Sequence, residues 1–180
     1  MTRVFVGVDP GVSGGIAAVS EDGRPLTYKK RPDSIAGVLE VFAGISRLGD
    51  DVACVLEFVR SSPQMGVKSV FTFGRGYGEL RACLVATGIR FEEVPPHVWQ
   101  KALNCRTGGD KNVTKAKAAK LFPSIVRVTH NIADSLLIAE FARRTALGLV
   151  VVDETPTVAP KRRRAMRFGR ATKTAKTGDF

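Results

Sequence analysis

At 180 residues, 44% hydrophobic and 25% charged, the chain has the proportions of a globular protein with one sizeable core. Its formal net charge of +11 is far from ordinary and points to a polyanionic partner, nucleic acid ahead of an anionic membrane surface. Cys54, Cys83 and Cys105 share no short spacing, so neither a zinc site nor a disulfide framework is indicated, and no apolar run approaches the length of a membrane span.

The chain enters a strand at once, without a basic leader and apolar core, so a cytoplasmic protein is expected. "RVFVGVDP" and "GGIAAVS" are short β-type runs joined by a Gly-rich turn, and "LTYKK" follows the turn "EDGRP" as a third strand. Asp33 reads as the N-cap of a helix over "SIAGVLEVFAGISRLG", with Gly49 as its stop. "DVACVLEFV" is a continuous apolar strand of the kind buried on both faces, and it ends on Glu57.

After a polar loop, "VKSVFTFGRGYGELRACLVATG" predicts a long helix weakened by Gly74, Gly76 and Gly78. "RFEEVPP" is a strand, "HVWQKALN" a short helix behind Pro96, and "RTGGDK" a loop. "NVTKAKAAKLF" is a basic helix ended by Pro123, and "HNIADSLLIAEFARRTALG" a strongly periodic one. Residues 1–150 are therefore expected to form one mixed α/β domain and 151–180 a basic tail. Residues 161–180 hold eight Lys or Arg against one Asp, a net +7 that leaves +4 on the body, and have too little apolar surface to fold alone.

Three carboxylates occur where a buried charge is costly without a partner: Asp9, Glu57 and Asp134. If the strands bearing Asp9 and Glu57 are parallel neighbours, both acids emerge at one sheet edge, where a crossing helix can supply Asp134. Hard oxygen ligands suit Mg²⁺ or Mn²⁺, and a pair of such ions serves phosphodiester hydrolysis. His130 lies four residues before Asp134, so a helix projects both from one face. It can bind the metal, contact a phosphate or relay a proton. Singly, each has a plainer reading: Asp9-Pro-Gly a turn, Glu57 a strand-end charge, Asp134 a dipole-stabilising acid, His130 a helix cap.

The combination resembles the RuvC-type Holliday junction resolvases of the ribonuclease H-like superfamily, in their phage and chloroplast branch. "VGVDPGVSGGIA" resembles the first-strand motif, and "LEFVRSSPQMGVKSVFTFGRGYGEL" the glutamate strand, loop and following helix. "EVPPHVWQKALN", "DKNVTKAKAAKLFP" and "HNIADSLLIAEFARR" resemble the remaining three motifs, in order, from about Val4 to Arg144. The resemblance implies a ribonuclease H-like fold: a five-stranded mixed sheet, strands 1–3 antiparallel, strands 4 and 5 parallel to strand 1, flanked by helices.

It also implies a magnesium-dependent crossover junction endonuclease of DNA recombination and repair, with two ions per site and Mn²⁺ as a substitute. Asp9, Glu57 and Asp134 would be the metal-binding acids, with His130 as active-site histidine and further ligand, and Lys111 beside the site. Thr129 and Asn131 stand where many relatives have Asp and Gly around the histidine, and Gln64 directly follows Pro63 where relatives often have one residue between. A homodimer suits a symmetric four-way junction. No nucleotide cofactor and no membrane partner are expected, and the compact form matches a phage or prophage protein acting in a bacterial host.

The loop residues Arg60 and Gln64 and the helix residues Lys68, Phe71, Arg75, Tyr77, Lys115 and Lys117 are candidate DNA contacts. Arg106 and Lys120 extend the basic set. Cations there would bind phosphates without reading sequence. Phe71, Phe73 and Tyr77 can stack on unpaired bases or form a buried helix stripe. The rival classes are an actin-like ATPase or sugar kinase, whose first hairpin also holds phosphate, and a catalytically silent junction-binding protein.

Overall fold

The computed structural model describes residues 1–61 and 64–150; Pro63 and the expected basic tail at 151–180 lie outside the described residues. β1 (Arg3–Val8) and β2 (Gly15–Ser20) form an antiparallel hairpin with Val8 opposite Ile16, and β3 (Pro25–Lys30) adds antiparallel to β2. β4 (Asp51–Glu57) runs parallel to β1, and β5 (Arg90–Val94) parallel to β4. The resulting five-stranded order is β3-β2-β1-β4-β5, the mixed arrangement expected from the sequence.

The period-2 alternation of β1 divides the core. Val4, Val6 and Val8 face α1 (Ile35–Ile45) and α2 (Val67–Ala86), where Phe42, Leu80 and Leu84 complete one apolar layer. Phe5 faces the opposite layer, built with Trp99 of α3 (Pro96–Ala102), Ala118 of α4 (Asn112–Leu121) and the apolar residues of α5 (His130–Ala146). Burial is complete only in the second half of β4, from Cys54 onward. Among the described residues no helix is long and apolar enough to cross a membrane.

Two helix boundaries differ from expectation. Ser34, not Asp33, caps α1: its Oγ accepts the Gly37 N–H at 3.2 Å from an extended backbone, while Asp33 lies 3.8 Å from Lys30. A serine one residue closer reaches the third amide of the helix equally well. α1 also ends at Ile45, before Gly49, where a Cβ would stand 2.5 Å from the Thr2 carbonyl oxygen. Gly49 thus permits a close return to the start of β1 rather than terminating the helix.

α5 lies backbone to backbone on the sheet. A Cβ on Gly7 would stand 2.2 Å from both Ala139 N and Ser135 O, and one on Gly15 2.3 Å from Asn131 O. Ser135 and Ala139 are themselves fully buried. At its far end α5 carries Glu140, 4% exposed, which accepts bonds from Arg143 Nε at 2.8 Å and Arg144 Nε at 2.6 Å. Arg143 Nη1 also donates to the Glu21 carbonyl at 3.0 Å, tying the helix to the β2–β3 turn. Burial pushes the Glu140 carboxyl up, but the bonds and charges of the two arginines outweigh it and hold the group below its usual range.

Gly7→Ala is therefore expected to cost at least about 3 kcal/mol in thermal or denaturant unfolding, because helix and sheet backbones must separate. Glu140→Gln is expected to cost about 2 kcal/mol at neutral pH. Since the folded-state pKa is lowered, this stabilisation is present above the ordinary value of 4.5 and lost as pH falls through the lowered one. Unfolding curves of wild type and Glu140→Gln should accordingly converge in acid.

Candidate active site

The parallel register of β1 and β4 sets Val8 beside Leu56, so Asp9 and Glu57, one step further along each chain, emerge together at one sheet edge. The Pro10–Gly14 turn then wraps the Asp9 carboxylate. Asp9 Oδ1 accepts the Gly11 N–H at 2.9 Å, and the Asp9 N–H donates to the Gly15 carbonyl at 3.0 Å. A Cβ on Gly14 would meet the Asp9 carbonyl oxygen at 2.2 Å, so any side chain there would break the turn.

α5 crosses this edge and supplies Asp134 from its second turn and His130 from its first residue. α4 contributes Lys111 at its N-cap and the buried Thr114. Asp9, Glu57, Asp134, Lys111 and His130 all line one open cleft of about 470 Å³, with Gly11, Ser13 and Asn131 at its margin.

The carboxylates share a poorly solvated space. Burial, then the Asp9 charge, pushes Glu57 up to about 8, although the Trp99 indole N–H donates to its Oε1 at 3.0 Å. Asp9 is raised by burial and by Asp134, against the Gly11 N–H and the charges of Lys111 and Arg31. Asp134 is raised by burial against the Thr114 hydroxyl, Lys111 and His130, and its Oδ1 is buried without a hydrogen-bond partner. Three mutually repelling oxygen donors, one of them orphaned, fit a hard divalent cation. Among the described residues no group of three or more His, Cys, Asp or Glu is placed to hold a metal ion as it stands; the acids line an open cleft.

No family model and no curated protein matches the sequence. Solved structures do. The RuvC structure of Thermus thermophilus matches with a TM-score of 0.60 at 15% identity, covering 82% of this chain and 98% of that one. T. thermophilus RuvC in complex with Holliday junction substrate matches with 0.58 at 14% identity, over 82% and 98%. The fold is that of RuvC.

On this RuvC fold the candidate DNA contacts are dispersed outside the cleft. Arg60 is exposed with its guanidinium 5.4 Å from the Phe58 ring centroid, and Gln64, Lys68 and Phe71 are exposed around the start of α2. Arg75 is exposed and lies 3.6 Å from Glu79. Lys115 and Lys117 are half-buried on α4, while Arg106 and Lys120 are exposed. Tyr77 turns inward: its ring stacks on Phe73 at 6.2 Å between centroids and its hydroxyl is closed off from solvent, with burial and Glu93 keeping it protonated.

Three residues that position the site are not among those the sequence singles out. Trp99 orients Glu57, Thr114 stands beside Asp134, and Arg31 holds the Pro10 carbonyl at 3.1 Å. Trp99 and Thr114 lie within quoted motifs, and their motif position was the available signal. Arg31, in a connecting segment, had none.

Because the folded-state pKa of Glu57 is raised, its contribution favours folding below the unfolded value of 4.5 and is lost as pH rises toward about 8. In chelator, wild type is expected to lose a few degrees of Tm over that interval relative to Glu57→Gln, at roughly the 2–4 °C by which 1 kcal/mol moves a domain of this size. Scanning fluorimetry across pH checks this; parallel curves would show that burial and the Asp9 charge do not raise Glu57.

Proposed function

We propose that this chain is a metal-dependent, structure-selective endonuclease that resolves Holliday junctions and other branched DNA by paired, symmetric phosphodiester hydrolysis. The observation that carries the reading is the gathering of Asp9, Glu57, Asp134, Lys111 and His130 around one open cleft at the sheet edge. Its support is twofold: the five motifs run through the elements bearing those residues, and a protein of the same fold is known in complex with a Holliday junction.

Asp9, Glu57 and Asp134, with His130, are the residues to hold two Mg²⁺ ions, for which Mn²⁺ substitutes. Bound there, such ions supply the charge neutralisation and water activation that phosphodiester hydrolysis requires. The chain's own groups do the rest. Trp99 holds the Glu57 carboxylate by its indole N–H, and the Pro10–Gly14 turn, with glycine at 11 and 14, lines the cleft beside Asp9. Lys111 offers a cation to the scissile phosphate. His130, exposed at the lip, contacts phosphate or moves a proton near neutral pH. Arg60, Lys68, Arg75, Lys115 and Lys117 hold flanking phosphates.

Two symmetric nicks call for two sites, hence a homodimer. α2 offers the face for it: Val67, Phe71, Gly74, Gly78, Ala82 and Val85 are exposed on one side of the helix, small residues at its centre. We place the protein in the cytoplasm of a bacterial host, as a phage or prophage product.

Incubation with a labelled four-way junction should give paired symmetric nicks with Mg²⁺ and none in chelator. Asp9→Asn should lower nicking by about 10³-fold or more while leaving junction affinity within roughly threefold. Full activity in that variant would sink the assignment. Ala82→Arg should shift the protein from dimer to monomer in light scattering and turn paired nicks into single ones.

A further inference from the structure

Arg31 sits between β3 and α1, outside the cleft, and touches both ends of the turn that carries Asp9. Its backbone N–H donates to the Gly14 carbonyl at 2.9 Å, and its Nη1 donates to the Pro10 carbonyl at 3.1 Å. The side chain is only 12% exposed, and its Nη2 lies 3.8 Å from Glu79 Oε2 on α2. Room for the guanidinium comes from an absence. A Cβ on Gly76 would stand 2.5 Å from Nη2 and 3.0 Å from Nη1.

This is a costly way to hold a loop. A largely buried guanidinium loses hydration, its counter-ion lies at the outer limit of an ion pair, and its Nε is buried without a partner. α2 also carries a mid-helix glycine, at about 1 kcal/mol against alanine, to admit it. An apolar side chain would fill the space at lower cost, so stability alone does not account for the arrangement. What the guanidinium does that an apolar group cannot is pin the Pro10 carbonyl. That pins the next peptide, whose Gly11 N–H holds Asp9 Oδ1 at 2.9 Å.

We infer that Arg31 is a positioning residue for the acid cluster: it clamps the Pro10–Gly14 turn from both ends, seated on the bare Gly76 and steadied by Glu79, and so fixes the Asp9 carboxylate for a divalent cation. The inference rests on the metal-dependent reading of the cleft. Arg31 acts through the turn and touches no reacting group. Its effect therefore falls on cation affinity rather than on DNA binding.

Two substitutions displace the guanidinium by different routes. Arg31→Met keeps the apolar stem and removes the donors. Gly76→Ala keeps Arg31 and pushes its flexible end aside with a helix-favouring methyl, so it carries the test even where Arg31→Met fails to fold in chelator. The full chain is titrated with MnCl₂, following the rise in Tm, and in parallel the concentration of Mn²⁺ giving half-maximal junction nicking. Both variants are expected to shift both midpoints upward by about tenfold or more, the usual consequence of losing a group that orients a ligand. Junction affinity in chelator should stay within about twofold of wild type, since the phosphate contacts are untouched. Wild-type midpoints in Gly76→Ala would overturn the inference. A wild-type protein whose Tm and nicking ignore Mn²⁺ would overturn the metal-dependent reading and this inference with it, so the two failures are distinct.

Discussion

The approach of α5 to the sheet governs the molecule. Helix and strand backbones meet where Gly7 and Gly15 carry no side chain, and Ser135 and Ala139 fill the seam. Helices packed on sheets usually ride on a layer of larger side chains; here that layer is missing along one line. The direct contact brings the first turns of α5 down to the level of the strand ends. Asp134, one residue before Ser135, consequently enters the cleft that Asp9 and Glu57 already line. The parallel register sets two acids side by side, and the depth of the helix sets the third.

The cleft works against the stability of the fold around it. Its three carboxylates are each raised by burial, and Asp9 and Glu57 by the charge of neighbouring acids as well. The opposite end of α5 offsets this. Glu140, bracketed by Arg143 and Arg144, is a buried charge whose bonds are satisfied, and Arg143 ties the helix to the β2–β3 turn. About 9 Å of helix separates Asp134 in the cleft from Glu140 at the anchor, at 1.5 Å per residue. Between them Leu136, Leu137 and Ile138 are fully buried, with Ile132 and Phe141 buried on either side.

Much of this was legible because strand ends and helical periods are local. The alternation of β1, the apolar run ending on Glu57 and the period of α5 each sit within a short window, and the sheet order follows from few topologies. Misplaced details were those decided between neighbours of equal merit or by distant parts of the chain. Ser34 took the cap from Asp33 at one residue's distance. Gly49 proved to answer to Thr2 rather than to its own helix. Tyr77, on a helix with polar and apolar residues intermixed, gave no sign of which way its ring would turn. Arg31 was invisible because its partners, Pro10, Gly14, Glu79 and Gly76, lie 17 to 48 positions away.

The backbone seam at Gly7 and Gly15 bears also on how such a centre could be moved to another protein. Copying the acids, the histidine and the lysine onto a foreign sheet would leave the third carboxylate hovering above the other two, held off by whatever side chains the new strands present. The part to be transplanted first is a void. Positions 7, 14 and 15 must stay empty before any charged group is worth installing, and the same is true of position 76 for the arginine that braces the turn.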